Sequence, residues 1–238
     1  METQVILKAE HMYKSFGVTK AVVDFSMELK RGEIHGLIGE NGSGKSTFSS
    51  MVAGLYKPDK GDMYINGEHY APNSTEDAAK RRVALVVQEI GTIGTITVAA
   101  NIFLNKEQRF SKLHMINYAA MNREAKKILD MIGGEHIDPA AVTNSLNLED
   151  RKLVEIARAM SCEPEVLIID ETSNALTTRG RGILYQNMRA VRDRGGAVLF
   201  ITHDMNELVE MCDTVTIMRD GVFVKNLAKE EMDTGRMK

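Results

Sequence analysis

Residues 36–47 read Gly-Leu-Ile-Gly-Glu-Asn-Gly-Ser-Gly-Lys-Ser-Thr, and Gly39, Gly44, Lys45 and Ser46 in this stretch fit the phosphate-loop pattern G-x-x-x-x-G-K-[ST]. The glycines let the backbone turn tightly, so that several N–H groups point at one phosphate. A helix starting just after the loop adds its dipole to that nest. Lys45 is placed to meet the β- and γ-phosphates, and Ser46 to hold Mg²⁺. The phosphate-cradling set is Gly39, Asn41, Gly42, Ser43, Gly44, Lys45, Ser46 and Thr47. The bland alternative is a glycine-rich strand–helix turn that binds nothing. Lys-Ser directly after Gly44, with a strand-like run before and a helix-like run after, argues against it.

A second carboxylate-bearing stretch complements the first. Val166-Leu167-Ile168-Ile169 is followed by Asp170-Glu171. An apolar strand of this kind delivers Asp170 to a Mg²⁺ shell and Glu171 beside a γ-phosphate. One carboxylate then helps fix the metal, and the other orients and activates water. Alone the pattern is weak; beside a phosphate loop it gains force. Gln88 ends the apolar run Val83–Val87, and His203 follows Ala197–Ile201. Polar residues at such strand ends are where α/β ligand sites form. His203 reads either as a satisfied core histidine or as a γ-phosphate contact. Tyr13 and Phe16 lie ahead of the loop, and either is an aromatic that can stack on a purine or a half-buried strand residue.

These residues need a scaffold of buried strands. Glu33–Ile38, Val83–Val87, Val166–Ile169 and Ala197–Ile201 read as buried strands, and Val5–Lys8 and Phe25–Leu29 as further ones. Asn66-Gly67 and Asp220-Gly221 read as hairpin turns. Ser74 is expected to cap a short helix through Lys80, and helices are expected at Thr47–Ala53, Met121–Met131 and 180–194. Between residues 89 and 160 strand-like runs vanish. There Leu153, Ile156, Ala157 and Met160 repeat at helical spacing, with Arg151, Lys152, Glu155 and Arg158 read as facing out. The expected organisation is one domain over 1–238, with an α/β core at about 1–88 and 161–238 and a helical subdomain at about 89–160.

The 238 residues are 43% hydrophobic and 26% charged, ordinary for a globular chain, and the net charge of −3 gives no basic excess toward nucleic acid. The two cysteines, Cys162 and Cys212, have no metal-type spacing and read as reduced thiols. Apolar runs are far short of the roughly 20 residues that span a bilayer. The expected location is cytoplasmic, peripheral on the inner face of the cell membrane. Fifteen scattered methionines read mainly as core filler.

Phosphate loop, strand-end Gln88, Asp170-Glu171 and strand-end His203 occur in the order of an ABC transporter ATPase domain, which the chain resembles over about Val5 to Lys225. The resemblance is closest to the N-terminal half of double-domain ATPases of ribose- and galactoside-class sugar importers. It rests on Gly39-Glu40-Asn41-Gly42, residues 97–104, residues 154–159, Ala175-Leu176-Thr177 and residues 218–221. It implies an α/β phosphate-loop NTPase core with a small antiparallel β subdomain and a helical subdomain. ATP and Mg²⁺ are the implied cofactors. Phe16 is the implied adenine platform, with Tyr13 weaker. The implied metal set is Ser46, Gln88 and Asp170, and the implied catalytic set is Glu171, His203 and Gln88.

The match fails chiefly at one place. The family reads Leu-Ser-Gly-Gly-Gln, or a near variant, where this chain reads Leu146-Asn147-Leu148-Glu149-Asp150. In the family that segment closes over the ATP of a second domain, so Glu149 and Asp150 are expected to set carboxylates against a polyanion. Thr172-Ser173 also replaces the usual Pro-Thr. The expected function is ATP hydrolysis that energises a sugar importer, with membrane-spanning permease subunits and a second, different ATPase domain as partners. A nucleotide-sensing subunit with little hydrolysis and a soluble ABC ATPase acting on DNA or ribosomes are the rivals.

Overall fold

The computed structural model describes residues 4–112 and 115–232. The chain divides into two compact units. The first comprises residues 1–85, 164–171 and 188–238, and the second comprises 86–163 and 172–187.

The first unit opens with β1 (Val5–Phe16) and β2 (Thr19–Lys30), an antiparallel pair longer than the sequence implies. Tyr13 and Phe16 therefore lie on β1, not between strands. The reason is a break in the pleat. His11 and Asp24 both take positive φ, and the pairing register shifts between Ala9 and Met12. Such a bulge interrupts the period-two pattern by which a strand is recognised. His11 Nδ1 bonds Asp24 Oδ1 at 2.7 Å across it. After β3 (Ile34–Ile38) and α1 (Lys45–Val52), β4 (Lys60–Ile65) and β5 (Glu68–His69) complete a four-stranded antiparallel sheet, in the order β2-β1-β4-β5. Asn66 and Gly67 join β4 to β5 with positive φ at both, the signature of a type I′ turn. α2 (Thr75–Lys80) is capped by Ser74, whose hydroxyl accepts from Asp77 N. β6 (Val83–Val86) follows.

The second unit carries α3 (Val98–Ile102), a two-stranded ladder of β7 (Ser111–Lys112) and β8 (Met115–Ile116), α4 (Tyr118–Ile132) and α5 (Leu148–Met160). That ladder stands where no strand is expected; two-residue strands give too little alternation to be read. α4 buries Met121, Ala125, Leu129 and Ile132 on one stripe and ends at Gly133, which takes φ 90°. α5 departs from expectation, because Lys152 and Glu155 are 1% and 6% exposed, not outward.

The chain then forms β9 (Val166–Asp170), α6 (Thr178–Asp193), β10 (Ala197–Ile201), α7 (Met205–Met211), β11 (Thr214–Arg219) and β12 (Val222–Ala228). The main sheet runs β12-β11-β3-β10-β9-β6. β3, β9, β10 and β11 are parallel, and β12 pairs antiparallel at the edge. Strands buried on both faces read as the continuous apolar runs seen in the sequence. The core joins the two sheets of this unit through α1. Phe48, Met51 and Val52 of that helix are fully buried, and Phe48 meets Phe25 of β2 edge to face at 4.8 Å. Truncating Phe48 to Ala would cost about 3–5 kcal/mol and loosen the helix that follows the phosphate loop. Among the described residues, no helix is long and apolar enough to cross a membrane.

Candidate functional site

In the sheet β10 lies between β3 and β9, and all three are parallel. Their C-terminal ends are therefore neighbours. The loop 39–44 leaves β3, Asp170 ends β9 with Glu171 next after it, and His203 follows β10. This edge of a parallel sheet is where helix N-termini and loop amides converge.

The loop's conformation demands glycine at two points. A Cβ on Gly39 would stand 2.1 Å from Met218 O, and one on Gly44 would stand 2.2 Å from Ala21 O. Gly44 also takes φ 100° as the residue before α1 and offers that helix no side-chain cap. The first-turn N–H groups of α1 thus receive no side-chain acceptor, which leaves donors for an anion. Lys45 is 4% exposed, and its Nζ donates to Gly39 O at 2.8 Å and Glu40 O at 2.9 Å. The ammonium lies across the loop's own carbonyls. Burial pulls its pKa below the ordinary lysine value, and the Glu171 and Asp170 carboxylates partly offset this.

Asp170 is buried at the end of β9. Its Oδ1 accepts from Ser46 Oγ at 3.2 Å and its Oδ2 from Ser49 Oγ at 2.9 Å. Burial pushes its carboxyl above the usual range. The two serine hydroxyls pull it down, the Glu171 charge raises it, and the Lys45 charge lowers it. Ser49 is the residue that sequence reasoning missed. Its spacing from Ser46 puts both on one face of α1, which was the available signal. A hydroxyl and a carboxylate side by side are hard oxygen donors. They suit Mg²⁺, which keeps several waters and takes phosphate oxygens for the rest. Among the described residues, no group of three or more His, Cys, Asp or Glu forms a metal cage of its own.

Glu171 takes φ 47°, unusual for a non-glycine residue, and its N–H donates to Ile201 O at 2.9 Å. That bond turns the chain sharply at the strand end. His203 is exposed; the preceding Thr202 is buried, donating to Glu207 Oε2 at 2.7 Å and accepting from Asp204 N. Phe16 is 44% exposed at the end of β1, edge to face with Tyr56 at 5.1 Å. Lys14 Nζ lies 5.5 Å from the Phe16 ring and pairs with Asp59 at 3.0 Å. Gln88 belongs to the second unit. It lies two residues beyond the end of β6, and it is exposed.

The polar side chains of the segment 146–150 find partners within the second unit. Asn147 caps α5, with Oδ1 accepting from Asp150 N at 2.8 Å and Nδ2 donating to Asp150 Oδ2 at 2.9 Å. Asp150 Oδ1 meets His136 Nε2 at 2.7 Å, and Glu149 Oε1 accepts from Thr177 Oγ1 at 2.9 Å. A Cβ on Gly180 would come within 2.7 Å of that Glu149 oxygen, so Gly180 makes its room. Both carboxylates expected to face a phosphate, and the Asn147 amide beside them, thus bond within their own unit. Sequence reading missed this because cap geometry fixes them only once α5 starts at Leu148.

The family model described as ABC transporter matches residues 22–174. The ribose import ATP-binding protein RbsA of Chromobacterium violaceum is 37% identical over 222 residues, covering 92% of this chain and 44% of that protein. The protein of the same name from Rhodococcus jostii is 38% identical over 216 residues, covering 91% of this chain and 42% of that one. The chain thus spans less than half the length of the curated relatives it matches. Among solved structures, the ADP conformation of an ATP-binding cassette of an ABC transporter superposes with a TM-score of 0.81 at 24% identity, covering 97% of this chain and 94% of that one. A dimeric post-hydrolysis cassette bound to ADP and Pi superposes at 0.80 and 24%, covering 94% and 99%. The fold is that of these cassettes, and the chain belongs to the ABC transporter family as one of its ABC-type ATPase domains.

Proposed function

We propose that this chain is an ATP-binding and hydrolysing half that energises an ABC importer for a sugar or sugar-like solute. The observation that carries the reading is the pairing of Ser46 with the buried Asp170 beside Lys45, in a chain 37% identical to a ribose import ATP-binding protein. The glycine loop and the α1 amides bind the β- and γ-phosphates. Lys45 leaves the carbonyls of Gly39 and Glu40 to meet them, since a phosphate oxygen is a stronger acceptor than either. Ser46 and Asp170 would hold Mg²⁺, with Gln88 as a further contact. Mg²⁺, when bound, neutralises charge on the transferring phosphoryl group. Glu171 accepts a proton from water aligned on the γ-phosphorus, and Gln88 and His203 orient that water. Phe16 supports the adenine.

The partners in this reading are membrane-spanning permease subunits and a second, different ATPase domain, which would hold the chain peripherally at the membrane. No nucleic acid takes part. A different second half is favoured because residues 146–150 depart from the family pattern while Lys45, Asp170 and Glu171 fit it. Each closed site needs one intact phosphate loop and the other domain's signature segment. Phosphate release by the purified chain, with and without a second ATPase half bearing an intact Leu-Ser-Gly-Gly-Gln segment, tests this. The expected result is weak turnover alone and restored turnover in the mixture. Brisk, cooperative hydrolysis by the chain alone would overturn the proposed pairing.

A further inference from the structure

Two buried charges in the second unit hold a stretch of backbone that has no ladder of its own. β6 ends at Val86, and residues 87–91 run as bend and coil. Lys152, 1% exposed on α5, sends Nζ to Val87 O at 2.9 Å, Glu89 O at 2.9 Å and Glu155 Oε2 at 2.7 Å, with Gln88 O further off at 3.3 Å. An ammonium has three protons, and three close acceptors take them. Glu155 uses its other oxygen, Oε1, to accept from Gly91 N–H. One turn further along α5, Arg158 Nη1 donates to Gly91 O at 3.1 Å. Positions 152, 155 and 158 make one stripe of the helix, and that stripe reads the peptide groups on both sides of Gln88.

Packing alone does not call for this arrangement. Two buried ions are costly to desolvate, and an apolar pair of similar volume stabilises a core as well or better. What the ion pair adds is directional hold on a segment that carries an exposed glutamine. We propose that Lys152 and Glu155 are positioning residues that make residues 87–91 and α5 one rigid piece, so that the orientation of Gln88 follows α5. The consequence for chemistry rests on the reading of Gln88 as a contact of Mg²⁺ and water. Lys152 lies one turn inside a helix that begins at Leu148 with Asn147 as its cap. A displacement of that helix end therefore reaches the backbone of Gln88 through hydrogen bonds alone.

The test uses the intact chain carrying Lys152→Met with Glu155→Gln. This removes both charges together, avoids an uncompensated buried ion, and keeps an oxygen for Gly91 N–H. The expected result is that the Gly91 amide, now facing a neutral acceptor on a loosened backbone, exchanges with deuterium at least tenfold faster, while amides in the middle of α5 are unchanged. Affinity of the ATP-loaded chain for Mg²⁺ is expected to fall about tenfold, with affinity for ATP in the absence of Mg²⁺ unaltered. A merely structural loss would lower both. Gln88→Ala is the companion variant, expected to show the same Mg²⁺ effect without the exchange effect. Unchanged exchange at Gly91 in the double variant overturns the proposal. Faster exchange with no Mg²⁺ effect in either variant upholds the clamp and overturns the role given to Gln88. If the double variant does not fold, the wild-type chain decides. Gly91 N–H protected as strongly as the interior amides of α5 supports the clamp, and rapid exchange at Gly91 overturns it.

Discussion

Replacing Lys45 with Met should reverse sign between the empty and the ATP-loaded protein. Lys45 is 4% exposed, and its Nζ donates to the carbonyls of Gly39 and Glu40, residues that are themselves half-buried and exposed. Its pKa is lowered, chiefly by burial, against the pull of Glu171 and Asp170. A lowered lysine value means that the group's stabilising share is present above the ordinary lysine range and is lost as pH falls through the folded value. At pH 7 the ammonium is therefore a cost. Met removes that cost, and the two carbonyls rehydrate, so Lys45→Met should leave the nucleotide-free melting temperature unchanged or slightly higher. With ATP the balance inverts. Wild type at a ligand concentration of about 100 Kd gains about 2.7 kcal/mol. In a chain of this length that corresponds to a rise of about 5–11 °C. Hydrogen bonds to charged groups contribute about 1.5–3 kcal/mol each, so losing the ammonium weakens binding by tenfold to a hundredfold. At the same ATP concentration the rise should fall to about half or less. Thermal melts of both proteins with and without Mg-ATP measure this directly. An undiminished ATP shift would show that Lys45 does not meet the phosphates. An empty variant melting many degrees lower would show that the ammonium chiefly holds the loop together.

Other consequences follow from the same geometry. Asp170 has a raised pKa, so its ionised form is a cost above the folded value, relieved as pH falls through it. Asp170→Asn should therefore raise the melting temperature of the empty chain at pH 7, by roughly 2–4 °C if about 1 kcal/mol is recovered. The gain should shrink toward acid pH, and Mg²⁺-dependent ATP binding should be lost. Asn147→Ala removes the cap of α5 and should cost about 1 kcal/mol, seen as a lower urea midpoint. Phe16→Ala should weaken ATP binding by about 1–3 kcal/mol while leaving inorganic tripolyphosphate unaffected, because only the adenine needs the ring. Equal losses for both ligands, read by calorimetry, would remove Phe16 from the base site.

The strand–loop–helix turn at residues 39–45 and the place of Asp170 at the end of β9 were legible because short spacings within one strand and one helix turn enforce them. Asn66-Gly67, Asp220-Gly221 and Ser74 were legible for the same reason, since each needs only its immediate neighbours. β1 and β2 were half legible. The bulge at His11 and Asp24 breaks their alternation, and only the partner strand shows that pairing resumes beyond it. Lys152 and Glu155 were illegible in principle from pattern alone. Charged residues at helical spacing read as a solvated face, and only the coil at 87–91 supplies the acceptors that let them be buried. Residues 146–150 were visible as a departure from the family pattern, but the direction of their side chains depends on His136 and Thr177, one before the segment and one well after it.

The central claim is that Glu171, at the end of β9 beside Asp170, turns bound Mg-ATP over when a complementary ATPase half closes on it. Phosphate release by wild type and by Glu171→Gln, each mixed with the same second half, tests it most directly. The account predicts turnover by wild type, loss of at least a hundredfold in the variant, and ATP affinity within a few-fold of wild type in both. Undiminished phosphate release by Glu171→Gln would contradict it, because the proton would then be leaving the attacking water by another route.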